Sequence, residues 1–170
     1  NADVIINDGT ITGGFSNNGA GGIHINDGAT VTLNNVNVDK NKVQNDDGGG
    51  IAVYDGATLI MNGGSVSNNA AVHGFFLDNL FGGGIYVEDS TVILTGVTLN
   101  NNRYELIEAG NSLYGAAIYC DDSTVTMKNC TVDGNGVPDD PDREYDVYSI
   151  IHASDSTLVI ENTNFSGNGS

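Results

Sequence analysis

Residues 21–33 read Gly-Gly-Ile-His-Ile-Asn-Asp-Gly-Ala-Thr-Val-Thr-Leu, and residues 83–94 read Gly-Gly-Ile-Tyr-Val-Glu-Asp-Ser-Thr-Val-Ile-Leu. Shorter versions of the same pattern recur along the chain. The first aliphatic residue of each copy falls at Val4, Ile23, Ile51, Ile85, Ile118 and Ile151, at steps of 19 to 34 residues. A repeat of that length indicates a solenoid, in which each unit buries its apolar side against its neighbours.

Within a unit, apolar residues alternate with polar ones. The second unit shows this as Ile23 and Ile25, then Val31 and Leu33, then Val36 and Val38. Alternation in short runs rich in Val, Ile and Thr is typical of strands with one buried face, and Asp, Gly and Asn between the runs indicate turns. The sequence therefore predicts an all-β fold, a parallel β-helix of about six coils with three short strands each, in one domain over residues 1–170. The crossover rule for parallel strands predicts a right-handed winding.

An Asn follows an apolar residue by three positions at the end of every unit. The predicted pairs are Phe15/Asn18, Val38/Asn41, Val66/Asn69, Leu99/Asn102, Val132/Asn135 and Phe165/Asn168. Asn side chains stacked at a bend can donate to and accept from one another and the turn backbone, so we expect a structural ladder.

Later units grow by insertion at one place, between the closing Asn and the next Gly-rich segment. The inserts are residues 42–48, 70–82, 103–114 and 136–148. Because they leave the same corner of successive coils, we expect them to cluster on one edge of the rod. Loops on a rigid scaffold commonly carry function.

These inserts are rich in aromatic residues. The candidate ligand-binding residues are Phe75, Phe76, Phe81, Tyr104, Tyr114, Tyr145 and Tyr148. Aromatic rings beside acids and amides suit sugar rings, through apolar stacking and hydrogen bonds. The alternative is that these rings pack against one another and against the coil beneath them.

Acidic residues form two candidate metal sites. One Asp stands four residues after the first aliphatic residue of each unit, at Asp8, Asp27, Asp55, Asp89, Asp122 and Asp155. Turn formation explains such a column, and bridging of coils by Ca²⁺ is the alternative, best supported where acids double at Glu88, Asp89, Asp121 and Asp122. The last insert adds Asp139, Asp140 and Asp142, where a solvated loop is the competing interpretation. No cofactor is required by this pattern.

Charge limits the partners. The formal net charge is −17, with five basic residues among 170. Nucleic acid needs clustered Lys and Arg, so we expect no nucleic-acid partner. No apolar run reaches the length of about 18 residues that spans a bilayer, so we expect no membrane insertion in this segment.

Cysteine and histidine give no catalytic pattern. Cys120 and Cys130 are predicted to point inward in one coil as buried free thiols, with a disulfide as the alternative. His24 and His152 are predicted to point outward in the column of Tyr86 and Tyr119. No His has a Ser or Cys partner at a recognisable spacing, so a catalytic triad has no support.

The Gly-Gly-Ile segments at Gly21, Gly49–Ile51 and Gly83–Ile85, with Phe15-x-x-Asn18 and Phe165-x-x-Asn168, carry a resemblance. The chain resembles the repeats of polymorphic outer-membrane-protein and adhesin-like passengers, within the pectate-lyase-like right-handed β-helix superfamily. The resemblance implies a secreted or cell-surface protein used for adhesion or glycan contact. Because the chain begins and ends inside the repeat, we expect it to be part of a longer surface protein.

The favoured function is that of a non-catalytic surface module, which binds a glycan or a protein on a host or partner surface through the loops of one edge. A polysaccharide lyase or hydrolase and a passive spacer stalk are the alternatives. Outward Thr residues at Thr30, Thr58, Thr91 and Thr124 indicate a face that packs on a neighbouring domain, although ice-binding solenoids carry a similar array. Bare coil ends also predict end-to-end packing.

Overall fold

The computed structural model describes residues 2–72, 79–105, 112–136 and 146–169, with side chains in the last range from residue 149 onward. These ranges contain strands and turns and no α-helix, and hence no helix long and apolar enough to cross a bilayer. The strands, in chain order, are β1 Asp3–Thr12, β2 Phe15–Ser16, β3 Ile23–Ile25, β4 Thr30–Asp39, β5 Lys42–Gln44, β6 Ile51–Val53, β7 Thr58–Ser67, β8 Ala70–Val72, β9 Asn79–Phe81, β10 Ile85–Glu88, β11 Thr91–Thr95, β12 Thr98–Asn100, β13 Arg103–Glu105, β14 Ser112–Asp121, β15 Thr124–Lys128, β16 Thr131–Asp133, β17 Asp146–Ser154, β18 Thr157–Glu161 and β19 Asn164–Ser166.

The described strands form three parallel sheets. The nine-stranded sheet contains β1, β4, β7, β11, β12, β15, β16, β18 and β19, the six-stranded sheet contains β3, β6, β9, β10, β14 and β17, and the four-stranded sheet contains β2, β5, β8 and β13. Ile51 pairs with Ile85, Ile85 with Ile118, and Ile118 with Ile151, so the repeat keeps its register from coil to coil. Parallel pairing between successive turns of one chain confirms the predicted β-helix.

Each full coil visits the sheets in a fixed order. It starts in the six-stranded sheet, at Ile23, Ile51, Ile85, Ile118 or Ile151, and these residues begin coils two to six. It then follows two sides of the nine-stranded sheet, which bends at Asn35 in β4 and at Gly63 in β7. In coils two to four it next enters the four-stranded sheet, as β5, β8 or β13. These coils therefore have a strand segment that the sequence analysis had assigned to the inserts.

The corners are set by residues with positive φ. Asp27, Asp55, Asp89, Asp122 and Asp155 have φ between 43° and 55° at the corner that follows the six-stranded sheet. Asp and Asn tolerate this left-handed conformation better than other residues with a side chain. The regular Asp column is therefore explained by backbone conformation.

The first coil is shifted from its predicted alignment. Val4 pairs with Val31 and not with Ile23, and Asp8 lies beside Asn35, outside the column of Asp27. The sequence prediction was wrong here, because a short apolar run such as Val4–Ile6 can be aligned with any strand of the repeat. The chain thus enters the coil on the nine-stranded sheet.

The predicted Asn ladder is present for five of its six members. Asn41, Asn69, Asn102 and Asn135 are fully buried. The Oδ1 atom of each Asn from Asn69 to Asn168 accepts hydrogen bonds of 2.9–3.2 Å from the backbone and side-chain nitrogens of the preceding Asn. Asn18 is not a member, because Gly14 takes this position in the first coil and donates its N–H to Asn41 Oδ1 at 2.9 Å.

Two apolar clusters fill the coil. The larger one runs the length of the rod and contains the inward Ile, Val, Leu and Met residues, such as Leu33, Met61 and Leu94. The smaller one lies behind the four-stranded sheet and contains Val43, Ala71, Leu80, Tyr104, Leu113 and Ala116. Fully burying one large aliphatic side chain stabilises a fold by about 1.5–3 kcal/mol, so the stacked columns are the main source of stability.

The Gly-Gly element of the repeat permits close approach of coils. A Cβ atom on Gly49 would lie 2.4 Å from the carbonyl oxygen of Gly83, and one on Gly50 would lie 2.8 Å from the oxygen of Gly84. A side chain on Gly49 or Gly50 would require the neighbouring backbone to shift, although coil five carries Ala116 and Ala117 at the aligned positions. The motif that identified the repeat therefore reflects backbone packing.

Candidate functional site

The inserts leave and rejoin the scaffold along one edge. Val72 and Glu105, the last residues of β8 and β13, are register partners. Asn79, Ser112 and Asp146, which begin β9, β14 and β17, are also in register. The strand ends that flank residues 73–78, 106–111 and 137–145 therefore lie along one corner of the rod, as the sequence predicted. We call this corner the insert edge.

Tyr104 is not a contact residue of this edge. Its side chain is fully buried in the smaller apolar cluster, and its hydroxyl donates a 2.6 Å hydrogen bond to the carbonyl oxygen of Tyr114. Burial raises the pKa of Tyr104. The prediction was wrong for this residue because β13 belongs to the coil, and Tyr104 is its inward-facing residue.

A column of rings stands outside the six-stranded sheet. Its members, which we call the ring ladder, are His24, Tyr54, Tyr86, Tyr119 and His152. Successive ring centroids are 5.2–5.3 Å apart, and the rings from Tyr86 to His152 are nearly parallel, with interplanar angles of 6° and 3°. The predicted alignment of His24 and His152 with the two tyrosines is confirmed by the strand register.

Tyr54 was missed by the sequence analysis. The register places Ala52 opposite both His24 and Tyr86, so coil three has no ring at the aligned position. Tyr54 follows two residues later and brings its ring into the gap. Period-two alternation places residues i and i+2 on one face of a strand, and this was the available signal.

Phe81 and Tyr114 form a second rank of rings beside the ladder. Their centroids are 5.6 Å apart, and Phe81 also packs against Tyr119 at 4.6 Å. Tyr114 contacts His152 edge to face at 4.9 Å. These two predicted ligand-binding residues are partly exposed and lie next to the insert edge. Phe75, Phe76 and Tyr145 lie outside the described residues, and Tyr148 is described only through its backbone in β17.

Stacking determines which parts of the ladder rings face outward. Because the ring faces contact the rings of neighbouring coils, the outer side presents ring edges and hydroxyl groups. Tyr86 is only 8 % exposed, and its hydroxyl donates a 3.3 Å hydrogen bond to Glu88. The ladder therefore offers ring edges rather than open ring faces, and the partly exposed Phe81 and Tyr114 supply apolar surface next to the insert edge.

A pair of acids connects coils one to three at the insert edge. Asp46 Oδ2 accepts a hydrogen bond from the backbone N–H of Gly19, at the end of coil one. Asp47 Oδ1 accepts a 3.0 Å hydrogen bond from the backbone N–H of Phe81, at the end of coil three. Both acids belong to coil two, so their side chains tie it to the coils on either side.

The surroundings of Asp47 raise the pKa of its carboxyl. Burial raises the pKa of its carboxyl to about 7, with smaller contributions from the charges of Asp46 and Glu88, while the hydrogen bond from Phe81 opposes the shift. Burial also raises the pKa of Tyr119 to about 12, and it raises those of Tyr54 and Tyr86 further. The carboxylates of Asp47 and Glu88 contribute to all three tyrosine shifts.

The candidate metal ligands are divided between two locations. Glu88 and Asp121 pair in register and follow the outward direction of Tyr86 and Tyr119, whereas Asp89 and Asp122 occupy the positive-φ corner. The described residues contain no group of three or more His, Cys, Asp or Glu side chains placed to hold a metal ion. Asp139, Asp140 and Asp142 lie outside the described residues. Calcium binding stays a prediction.

Most of the few cations are engaged in ion pairs. Lys42 Nζ lies 2.6 Å and Arg103 Nη2 lies 2.5 Å from the two carboxylate oxygens of Glu105. Burial alone would raise the pKa of Glu105, but the hydrogen bond from Lys42 and the charge of Arg103 lower it below its usual value. Lys40 pairs with Asp39 and Lys128 with Glu161, each at 3.2–3.3 Å.

Both cysteines are buried free thiols. Cys120 Sγ donates to the carbonyl oxygen of His152 at 3.3 Å, and Cys130 Sγ lies 3.4 Å from the carbonyl oxygen of Lys128. Burial raises the pKa of Cys120, which keeps it a thiol. The favoured prediction is confirmed and the disulfide alternative is not realised.

Comparison with known proteins agrees with this architecture. A family model described as a right handed beta helix region matches residues 2–165. The match covers nearly the whole chain and supports the predicted hand of the winding. No curated protein and no solved structure gives a significant match.

Proposed function

The chain belongs to the right-handed β-helix family, and on that premise we propose that it is a non-catalytic binding module of an extracellular or cell-surface protein. It contacts a glycan or a protein along the insert edge and the adjoining margin of the ring ladder. The resemblance of its Gly-Gly-Ile repeats to adhesin-like passengers supports this location and role.

One observation carries the proposal. The coils keep their register along the rod, while the chain departs from it repeatedly at a single corner. Partly exposed Phe81 and Tyr114 and the acid Asp46 lie beside this same corner. A rigid scaffold with variable segments on one side is the usual arrangement of a recognition surface.

Charge favours a neutral or cationic ligand. The chain carries a net charge of −17, and the four cations of the described residues pair with Asp39, Glu105 and Glu161, away from the ladder. A polyanionic ligand would be repelled along the whole rod. We therefore expect a neutral glycan or a basic protein surface as the partner.

The test removes the inserts and keeps the scaffold. One variant replaces residues 73–78 and a second replaces residues 137–145 with short Gly-Ser links, so that the strands β8, β9 and β17 stay intact. The matched control carries Thr58→Ser and Thr91→Ser on the outward side of the nine-stranded sheet. All proteins are applied to a glycan array and used in pull-downs from host-cell surface extracts.

We expect the trimmed variants to lose binding and the control to keep it. Equal binding by wild type and both trimmed variants would move the site away from the insert edge. Failure of the wild type to bind any glycan or surface protein would favour the passive spacer stalk.

A polysaccharide hydrolase is the second candidate, since the family includes both enzymes and proteins without activity. The feature that favours it is the largely buried carboxyl of Asp47, which accepts the N–H of Phe81 and has its pKa raised to about 7 by burial and by the charges of Asp46 and Glu88. A carboxyl with a pKa near neutrality suits a general acid in glycoside cleavage. The test is release of reducing sugar from a polysaccharide panel, and loss of release in Asp47→Asn would establish it. A lyase lacks such support, because Lys42 and Arg103 are both paired with Glu105.

A further inference from the structure

The corner between β15 and β16 carries a motif that the proposed function does not use. Residues 129–131 read Asn-Cys-Thr, which has the form Asn-x-Thr of an acceptor for an N-linked oligosaccharide. The related form Asn-x-Ser begins at Asn164 and at Asn168. The surroundings of these three asparagines differ, and only one of them suits modification.

The side chain of Asn129 faces solvent. It is exposed at a corner where φ is 54°, and it forms no side-chain hydrogen bond with any described residue. Its backbone N–H donates to the carbonyl oxygen of Glu161 at 3.0 Å, which fixes the corner and leaves the side-chain amide accessible. Thr131 is partly exposed, and Cys130 between them is buried. The amide and the hydroxyl that define the motif are therefore both accessible.

Space for a first sugar is present beside this corner. Gly96 occupies the aligned corner of coil four, and its N–H donates to the carbonyl oxygen of Lys128 at 2.8 Å. A Cβ atom on Gly96 would meet no heavy atom within 4 Å beyond its own chain neighbours. On the other side, the corner of coil six is the exposed Asn162. Coil four therefore places no side chain over Asn129 at this corner.

The other two asparagines are less suitable. Asn168 is the last member of the Asn ladder, and its Nδ2 donates to the carbonyl oxygen of Val132 at 2.9 Å while its Oδ1 accepts from Asn135. A sugar on this amide would break the ladder. Asn164 is exposed, but it lies within β19 as the register partner of Thr131, so an oligosaccharide on the neighbouring corner would cover it.

We propose that Asn129 is an acceptor site for an N-linked oligosaccharide. The donor is an oligosaccharide carried on a lipid pyrophosphate. A bond forms between Nδ2 of Asn129 and C1 of the first sugar, the bond from C1 to the pyrophosphate oxygen breaks, and the lipid pyrophosphate leaves. One amide proton passes to a base of the transferase, and nothing is oxidised or reduced. The proposal rests on the extracellular location proposed above, because this motif is modified in secreted proteins.

The Asn129 corner is separated from the insert edge. Coil five leaves that edge through β14 and then follows β15 before it reaches residue 129, and it returns to the edge through β16. An attached oligosaccharide is bulky and solubilising. It would shield the nine-stranded sheet from neighbouring molecules and leave the insert edge open to a ligand.

The test uses residues 1–170 secreted from eukaryotic cells together with a reference glycoprotein, whose modification shows that the transferase is active. Peptide N-glycanase converts each modified Asn to Asp, and peptide mass spectrometry against an untreated sample locates the conversions. We expect conversion at Asn129 and none at Asn168. Asn129→Gln and Thr131→Val should lose the modification, whereas Thr131→Ser should keep it, because the motif requires a hydroxyl at this position.

The matched control is Asn162→Gln, which changes the exposed corner residue of the next coil and leaves all three motifs intact, so it should be modified like wild type. An unmodified Asn129 in a secreted chain, beside a modified reference glycoprotein, would overturn the proposal, and so would modification at Asn164 or Asn168 alone. Binding at the insert edge is measured separately. A modified Asn129 in a chain that binds no ligand would retain this site and remove only the proposed binding function.

Discussion

Tyr54 places its ring in the column position that Ala52 leaves open. Ala52 is the register partner of both His24 and Tyr86, and it is fully buried. The Tyr54 ring instead lies 5.2 Å from the ring of His24 and 5.3 Å from that of Tyr86. The ladder is thus continuous although one coil has no ring at the repeat position.

Removal of this ring should destabilise the rod locally. Tyr54→Ala breaks two ring contacts, and each such pair contributes about 0.5–1.5 kcal/mol, so we expect the free energy of unfolding to fall by about 1–3 kcal/mol. Urea denaturation measures the change. Tyr54→Phe keeps the ring and is the control.

A second substitution in the ring ladder should restore part of the stability that Tyr54→Ala loses. Ala52→Tyr combined with Tyr54→Ala returns a ring to the aligned position and should recover part of the lost stability. If the double variant is no more stable than Tyr54→Ala, stacking in the column is not what Tyr54 contributes.

The Asn ladder should be sensitive at its centre. Asn102→Ala removes the hydrogen bonds that its side chain accepts from Asn69 and donates to Asn135 and to the carbonyl oxygen of Val66, and it leaves the buried backbone N–H of Asn69 without this acceptor. Each such group costs about 1–3 kcal/mol, so we expect a loss of at least about 3 kcal/mol or failure to fold. Asn168→Ala, at the partly exposed end of the ladder, should cost about 1 kcal/mol. Equal thermal stability of the two variants would contradict this gradient.

The ion pairs of Glu105 predict a dependence on acid pH. Because its pKa is lowered by Lys42 and Arg103, its contribution is present above the unfolded value of 4.5 and is lost as the pH falls through the folded-state pKa. We expect Glu105→Gln to lower stability by about 1 kcal/mol at neutral pH and the difference from wild type to shrink in acid. Denaturant titrations over this pH range measure it. Glu161→Gln breaks a more exposed pair with Lys128 and should have a smaller effect.

The buried thiols should be unreactive in the folded protein. We expect neither Cys120 nor Cys130 to react with a chromogenic thiol reagent in native buffer, and both to react after unfolding in guanidinium. A Thr157→Cys variant, with its new thiol on an exposed strand position, should react at once and serves as the control. Rapid native labelling of either natural cysteine, or a mass two daltons low, would contradict the buried free-thiol assignment.

Much of the fold could be predicted from local patterns. The inward columns, the closing Asn residues from Asn41 to Asn168 and the outward His24 and His152 follow from alternation and turn residues, which act over a few positions. The wrong predictions for Val4, Asp8 and Asn18 have one cause, the register of the first coil. Several alternating runs fit the first coil equally well, and only contact with the next coil selects one register.

The candidate site was less accessible to such reasoning. Tyr104 and Phe81 both lie in segments assigned to inserts, yet one is a core residue and the other is partly exposed beside the ladder. No local sequence pattern indicated the contacts of Asp46 and Asp47, because their partners Gly19 and Phe81 are 27 and 34 residues away.

The sequence by itself determined the repeat, the buried face of most strands and the edge at which the chain departs from the coil, since these depend on spacing along the chain. The tertiary structure decided the register of the first coil, the burial of Tyr104, the insertion of Tyr54 and the contacts of Asp47. Each of these depends on which residue of a neighbouring coil lies above or below. That relation is fixed by packing across about 30 residues, which no local pattern records.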